Sequence, residues 1–358
     1  MSISDVAKLA GVSSATVSRV INNHPRVAPK TVQSVRAAMQ NLGYTPSDRR
    51  PGPKPTPHVR RTARAIAFLV LGTSRTRATP AFQDLLRGVS MGAARHELNL
   101  NFHHVADPQH PPLRAIEQGI DGVLLHGAAP MGDARERLRH LPTVWLMGNV
   151  KRPDWGDQVL PDAYQIGEIA AKYLLERGHK RLAFFNLEAG HWSLRIYGHA
   201  FQMTAQDAGA HVERLERVAS VTSTEYWHDH SVEAVEALVK QYLALSPRPT
   251  GIFVADDMQV AMLQPALQKH GVELGPDAEG GRVDVISCNN EQPYLVGLQP
   301  RPAVVDIRVE SIGRRGIEQL LWRLDHPEVS ERIITAIEPT VLRPEDVVRA
   351  VRTERAAK

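Results

Sequence analysis

The 358-residue sequence is short of several things, and each shortage excludes something. It has one cysteine, Cys288, so a disulfide framework and a cysteine-based zinc site are ruled out, and a reducing compartment suits it. Aromatic residues make up only 5%, so an aromatic side chain in a binding site would stand out. No stretch approaches the roughly 20 apolar residues of a membrane-spanning helix. No positively charged segment leads into an apolar run at the N-terminus, so no secretory signal is expected and the predicted location is cytoplasmic. Catalytic signatures are also missing: there is no serine nucleophile elbow and no phosphate-binding glycine loop. His103-His104 and His228-x-His230 are pairs with no third ligand, read as solvent-exposed histidines. The sequence therefore predicts no enzyme, no cofactor and no metal.

What is present is unevenly distributed. The length suits two or three domains, and a 42% hydrophobic content can fill their cores. Residues 1–64 carry eleven Lys and Arg against two acids, Asp5 and Asp48, while the remainder carries 32 bases against 37 acids. A basic module on a mildly acidic body suits a polyanion at one end and a different partner at the other.

The first 45 residues read as three short helices. Ser4 can cap a helix over Asp5–Ala10, with Val6, Leu9 and Ala10 as its apolar stripe. Gly11 stops it, and Ser13 can cap a second helix reaching about Asn22, with Val17, Val20 and Ile21 inward. A third helix from Pro29 to Leu42 places Val32, Val35, Ala38, Met39 and Leu42 on one face. Two short helices joined through a Gly-containing turn form a helix-turn-helix. The second helix then leaves Ser14, Ala15, Ser18, Arg19 and Asn22 toward solvent, where a recognition helix would read bases; a generic three-helix bundle with a polar face fits the pattern equally.

The literal residues go further. Asp5-Val6-Ala7-Lys8-Leu9-Ala10-Gly11-Val12-Ser13, then Thr16-Val17-Ser18-Arg19-Val20-Ile21-Asn22, then Leu42-Gly43-Tyr44-x-Pro46 resemble the headpiece of the lactose/galactose repressor (LacI/GalR) family. The resemblance implies that Ser14, Ala15 and Arg19 read bases, while Ser13, Thr16, Ser18 and Asn22 hold the DNA backbone. Ala28 departs from the family, which usually has Ser there as the third helix's cap.

Residues 46–64 form a second departure. Pro46, Pro51, Pro53, Pro55 and Pro57 alternate with Arg49, Arg50 and Lys54, which predicts an extended basic linker. The family's connector becomes a hinge helix on DNA with a central Leu wedged into the minor groove; here there is no Leu. Arg49-Arg50-Pro51-Gly52-Pro53-Lys54-Pro55 loosely resembles an AT-hook, so Arg49, Arg50 and Lys54 are either minor-groove contacts or parts of a tether that happens to be basic.

From Ala65 to residue 345 apolar strands alternate with amphipathic helices in two successive runs, including a strand near Glu216–Val221. Such alternation predicts two doubly wound α/β lobes with a cleft at the carboxyl ends of the strands. Asp121-Gly122-Val123, Gly178-His179-Lys180-Arg181 and Ala255-Asp256-Asp257 fall in the order of the same family, so the resemblance covers residues 2–345. It implies a small all-α helix-turn-helix headpiece plus a two-lobed α/β periplasmic-binding-protein-like domain. By position it makes Asp162, Arg195, Asp256 and Asn289 effector contacts, with Asp256 where the family usually has Asn and Asn289-Asn290 where it usually has Asp-Asp. Arg with Asp and Asn suits sugar hydroxyls; an inter-lobe salt bridge between Arg195 and Asp256 with no ligand is the lesser alternative. Trp192 and Phe82 are the candidate stacking aromatics; His191 has no assignable role.

The implied protein is a DNA-binding transcriptional regulator, a repressor, acting on double-stranded operator DNA as a homodimer under control of a small effector. The effector is a sugar or, alternatively, a purine or other non-sugar metabolite acting as corepressor. A sugar-transport protein would explain only the body, and an enzyme would need a catalytic set. The polar tail, residues 346–358, shows no leucine heptad, which predicts a dimer rather than a tetramer.

Overall fold

A computed structural model describes residues 2–21, 27–44, 64–72, 79–117, 119–147, 153–217, 232–276 and 281–346. The chain divides into two compact units, Met1–Thr62 and Ala63–Lys358.

In the first unit, α1 (Ile3–Ala10), α2 (Ser14–Ile21) and α3 (Pro29–Asn41) close around Val6, Ala7, Val17, Val20, Val35 and Ala38. The start of α1 differs from expectation. Ser2, not Ser4, is its cap: the Ser2 hydroxyl accepts from the Asp5 backbone N–H, and Asp5 accepts from the Ser2 N–H at 2.8 Å. This reciprocal box satisfies two of the free amides of the first turn, which Ser4, already inside the helix, has no geometry to do. Gly11 ends α1 at φ 65°, in the left-handed region that glycine enters without cost. Ser13 caps α2 through the Thr16 N–H at 3.2 Å. Pro29 opens α3 behind Ala28, which supplies no side-chain cap.

The second unit builds two α/β layers. The first runs β1 (Ala65–Leu71), α4 (Pro80–Arg95), β2 (Asn99–Val105), α5 (Leu113–Glu117), β3 (Gly122–Gly127), α6 (Gly132–Leu138), β4 (Thr143–Leu146) and β5 (Asp157–Pro161). The second runs α7 (Ala163–Glu176), β6 (Arg181–Asn186), α8 (Trp192–Asp207), β7 (His211–Glu216), α9 (Val232–Ala244), β8 (Gly251–Val254), α10 (Asp257–Lys269), β9 (Asp284–Cys288), α11 (Gln292–Leu295) and β10 (Ala303–Asp306). The chain then returns through α12 (Val309–Asp325) and β11 (Ile334–Ile337) to the first sheet, and ends its described part in β12 (Thr340–Leu342) on the second. Sheet orders are β11-β5-β4-β3-β1-β2 and β12-β10-β9-β8-β6-β7, parallel except for β12 against β10. Every residue of β1, β4, β8 and β9 is buried, as expected of parallel strands covered by helices on both faces.

Three short segments cross between the lobes: β5 to α7, β10 to α12, and β11 to β12. At the second of these, Arg308 adopts φ 54°, a left-handed conformation that a residue with a Cβ holds only when its surroundings impose it. The expected strand near Glu216–Val221 lies earlier, at β7, an edge strand with only two buried apolar residues, Val212 and Leu215, among polar ones and so without a period-two alternation to mark it; residues 218–231, including His228 and His230, lie outside the described residues. His103 and His104 are half-buried rather than exposed, and His104 Nε2 bonds the Gly72 carbonyl at 3.0 Å.

Candidate functional sites: a helix face and an inter-lobe cleft

On the first unit, α2 buries Val17 and Val20. The opposite side leaves Ser14, Ala15 and Arg19 exposed, with Thr16 and Ser18 half-buried beside them. Ser13 is exposed, but its hydroxyl is engaged in capping α2 and in a 2.9 Å bond with the Thr16 hydroxyl. Asn22, Arg49, Arg50 and Lys54, and with them the linker, lie outside the described residues.

On the second unit, the lobes face each other across a cavity of about 870 Å³, its solvent-open part included. Its walls come from the carboxyl ends of strands and from the helices that follow them, where doubly wound sheets place ligands. The first lobe contributes Ala81 and Phe82 from the start of α4, His126 from the end of β3 and Met147 after β4. From the second come Glu188 and His191 after β6, Tyr197 on α8, Asp256 after β8, and Asn289, Glu291 and Tyr294 after β9. Met147 (φ 66°) after β4, and Asn289 (φ 106°) and Asn290 (φ 70°) after β9, hold left-handed backbone at two of these strand ends.

The cleft is rich in acceptors. Asp256 caps α10, accepting from the Gln259 backbone N–H at 2.8 Å and its side-chain amide at 2.5 Å. Gln259 in turn accepts from the Leu187 N–H at 2.8 Å, tying the β6 loop to α10. Asp257, behind it, accepts from the Ser287 hydroxyl and the Glu291 N–H, and burial pushes its carboxyl well above the usual range. Glu291 reaches the other lobe: its Oε1 accepts from the Ala81 N–H at 3.0 Å, an amide in the first turn of α4 that has no partner within the helix. Its Oε2 accepts from Asn289 Nδ2 at 3.3 Å, and burial first, then the charge of Asp256, raises its pKa to about 7. His126 Nδ1 donates to the Leu146 carbonyl at 3.2 Å, and desolvation holds the ring below its ordinary pKa. The neutral ring thus leaves Nε2 as an acceptor.

Of the effector residues expected from sequence, Phe82, Asp256 and Asn289 line the cleft, whereas Asp162, Trp192 and Arg195 are not among its walls. Asp162 caps α7, accepting from the Tyr164 and Gln165 N–H groups at 3.1 and 3.0 Å. Arg195 is exposed, because α8 turns Ser193, Leu194 and Tyr197 to the cavity and residue 195 falls on the opposite side of that helix. Neither does it pair with Asp256, whose partners are both on Gln259. Trp192 is half-buried at the start of α8. Glu188, His191, Glu291, Tyr197 and Tyr294 were not anticipated. The signal for the two acids was their place shortly after apolar strands, two residues beyond the end of β6 and three beyond the end of β9.

Comparison with known proteins finds matches to both units. The model of bacterial regulatory proteins of the lacI family matches residues 2–47, and that of a periplasmic binding protein-like domain matches residues 171–343. The chain belongs to the lacI family. Among lacI-family relatives, the HTH-type transcriptional repressor PurR of Vibrio atlanticus (strain LGP32) is 27% identical over 92% of this chain and 97% of its own. Two solved structures share the fold. The transcriptional regulator CelR in complex with cellobiose superposes with a TM-score of 0.61 at 21% identity, over 96% of this chain and 98% of that one. The lac repressor dimer bound to operator and the anti-inducer ONPF gives 0.59 at 17% identity, with the same coverage. This lacI-family regulator thus joins a helix-turn-helix headpiece to an effector-binding domain.

Proposed function

We propose that the chain is a transcriptional repressor that binds a specific operator through α2 and releases or tightens that grip when a small effector occupies the inter-lobe cleft. One observation carries the reading: α2 presents Ser14, Ala15 and Arg19 outward on a helix whose other face is locked into the headpiece core. Such a helix lies in the major groove, where Arg19 can bond a guanine edge bidentately and Ser14 and Ala15 offer a hydroxyl and a methyl contact. Two chains acting as a homodimer place two headpieces on the half-sites of a pseudo-palindrome. The site is no enzyme centre in this reading, and the protein works in the cytoplasm, where its operator is.

The effector is a small hydroxylated molecule, a sugar in the first instance, because the cleft offers carboxylates, a histidine acceptor and aromatic faces within one enclosure. A purine is the second reading, favoured by the Phe82 and His126 rings, stacked with centroids 6.1 Å apart and 19° between planes. Coupling between cleft and headpiece of about 1–3 kcal/mol is typical of such switches. The test is to select bound duplexes from a random library with the full chain, then to challenge the complex with sugars and purines. A recurrent half-site whose occupancy changes with one ligand is the expected result; absence of sequence enrichment would end the reading.

A further inference from the structure

We infer that Glu291 is the catch that holds the two lobes closed around the effector: shutting the cleft and completing the first turn of α4 are one event. This rests on reading the cleft as the effector site, and it assigns the opening of that site to one side chain.

The fixed half of the catch is on the second lobe. Glu291 stands between β9 and α11, and its backbone N–H donates to Asp257 Oδ2 at 2.6 Å. Its Oε2 accepts from Asn289 Nδ2 at 3.3 Å, and the Asn289 backbone is held at φ 106°. Glu291 Oε1 is thereby aimed across the cleft at the Ala81 N–H, 3.0 Å away on the first lobe. The rest of that turn is served locally. Pro80 has no N–H, the Phe82 N–H donates to Thr79 Oγ1 at 3.2 Å, and the Gln83 N–H donates to the Thr79 carbonyl at 3.4 Å. Among the described residues, the Ala81 N–H finds its acceptor only on the other lobe. A carboxylate suits the positive end of the α4 dipole, and Glu291 is buried, so water competes little for the bond.

The bond acts on the first lobe as a whole. Gly88 and Gly313 bring α4 and α12 so close that an added Cβ would strike backbone, so the two helices move as one body. The turning points are the three crossings between lobes, of which the one entering α12 holds Arg308 at φ 54°. Opening the lobes about these crossings draws Ala81 away from Glu291 and leaves a helix-terminal amide and a carboxylate oxygen to find new partners. Closing them restores the bond. It also brings Phe82 and Leu85, which follow Ala81 on α4 and line the cavity, onto whatever the cleft holds.

Nitroxide labels read the opening directly in the full chain. Asp133→Cys and Glu233→Cys place them on exposed positions in the first turns of α6 and α9, one on each lobe. Cys288 is buried and stays unlabelled, and excess unlabelled chain leaves one labelled protomer per dimer. By double electron–electron resonance, Glu291→Ala is expected to shift the label separation by about 2 Å or more. Glu291→Gln, which keeps an acceptor oxygen, is expected to stay with the parent; thermal melts verify that both variants fold. A separation in Glu291→Ala equal to the parent's, or a Glu291→Gln shift as large as that of Glu291→Ala, would overturn the inference. Operator affinity of the same variants separates the catch from the effector reading. If the separation shifts and operator affinity does not change, the catch stands and control of the headpiece by the cleft falls. If the separation holds while sugars or purines still alter operator affinity, the effector reading stands and the catch falls.

Discussion

Glu291 is 5% exposed with its pKa raised to about 7, while His191, in the same cleft, is pushed by burial down to about 4. The two shifts act on stability with opposite signs. Between pH 4.5 and about 7 the folded chain keeps a proton on Glu291 that the unfolded chain has released. That stabilisation is therefore full below 4.5 and is lost as pH rises through about 7. At roughly 1.4 kcal/mol per unit, the interval is worth about 3 kcal/mol. Folded His191 stays neutral where the unfolded ring charges, so its stabilisation is present above 6.5 and lost as pH falls toward 4. The variants should separate these trends. Relative to the parent, Glu291→Gln should gain melting temperature as pH rises from 4.5 to 7, and His191→Asn should gain it as pH falls from 6.5 to 4. Parallel melting curves for parent and variants across pH 4–8 would refute the assignment. On the headpiece, Arg19→Ala should cost about 1–3 kcal/mol of operator binding and relax discrimination at one base pair, measured by titrating singly substituted operators. The face of α2 was legible in sequence because a helix fixes which residues share a side. The cleft was only half legible: Asp256 and Asn289 stand beyond strand ends and Phe82 in the first turn of α4, all on the cavity, whereas Arg195 is exposed on the other side of α8, which position in the sequence alone does not reveal.

Helix α4 meets α12 through glycine. A Cβ added to Gly88 would fall 2.1 Å from the Glu310 carbonyl oxygen, and one on Gly313 would fall 2.5 Å from the Leu85 carbonyl oxygen. The obstacle in both cases is backbone, which cannot swing aside as a side chain can. Gly88→Ala and Gly313→Ala should therefore each destabilise the second unit by about 1–3 kcal/mol or more, read by chemical denaturation. The expected gain lies at the other unit: Ala28→Ser should add about 0.5–1 kcal/mol to headpiece stability by supplying the missing cap of α3. An unchanged headpiece melt would show that another group already serves those amides. At this scale the sequence was informative wherever apolar periodicity was strong. Strands β1, β6 and β8 are built on the apolar runs at residues 65–71, 182–185 and 252–254. It was silent for β5, β10, β11 and β12, which are three to five residues long and show no clear alternation, so nothing local distinguishes them from loop.

The whole chain keeps its positive charge at one end: eleven bases against two acids in residues 1–64, and an excess of acids beyond. Sequence-independent grip on DNA should therefore reside in that segment, while the acidic body adds nothing to it. Part of this charge is in residues 46–64, where five prolines and no leucine stand. A wedge that unstacks a base step needs an apolar side chain carried on a rigid helix, and this segment offers neither in its sequence. It does offer Arg49, Arg50 and Lys54, which can neutralise phosphates or follow a narrow A·T-rich minor groove. We therefore propose that operator binding here is steeply salt-dependent and bends DNA less than binding by a relative with a hinge helix. Replacing Arg49, Arg50 and Lys54 together with Gln should flatten the slope of log affinity against log salt by up to about three per headpiece, each lost phosphate contact contributing roughly 0.9. If these residues form a minor-groove arm, the same substitution also abolishes any preference for A·T at the centre of the operator; if they are a tether, affinity is indifferent to that centre from the start. A bend as sharp as that imposed by a hinge-helix relative, measured by circular-permutation mobility on a common operator length, would refute the proposal, because a kink of that size requires a wedge this linker does not encode.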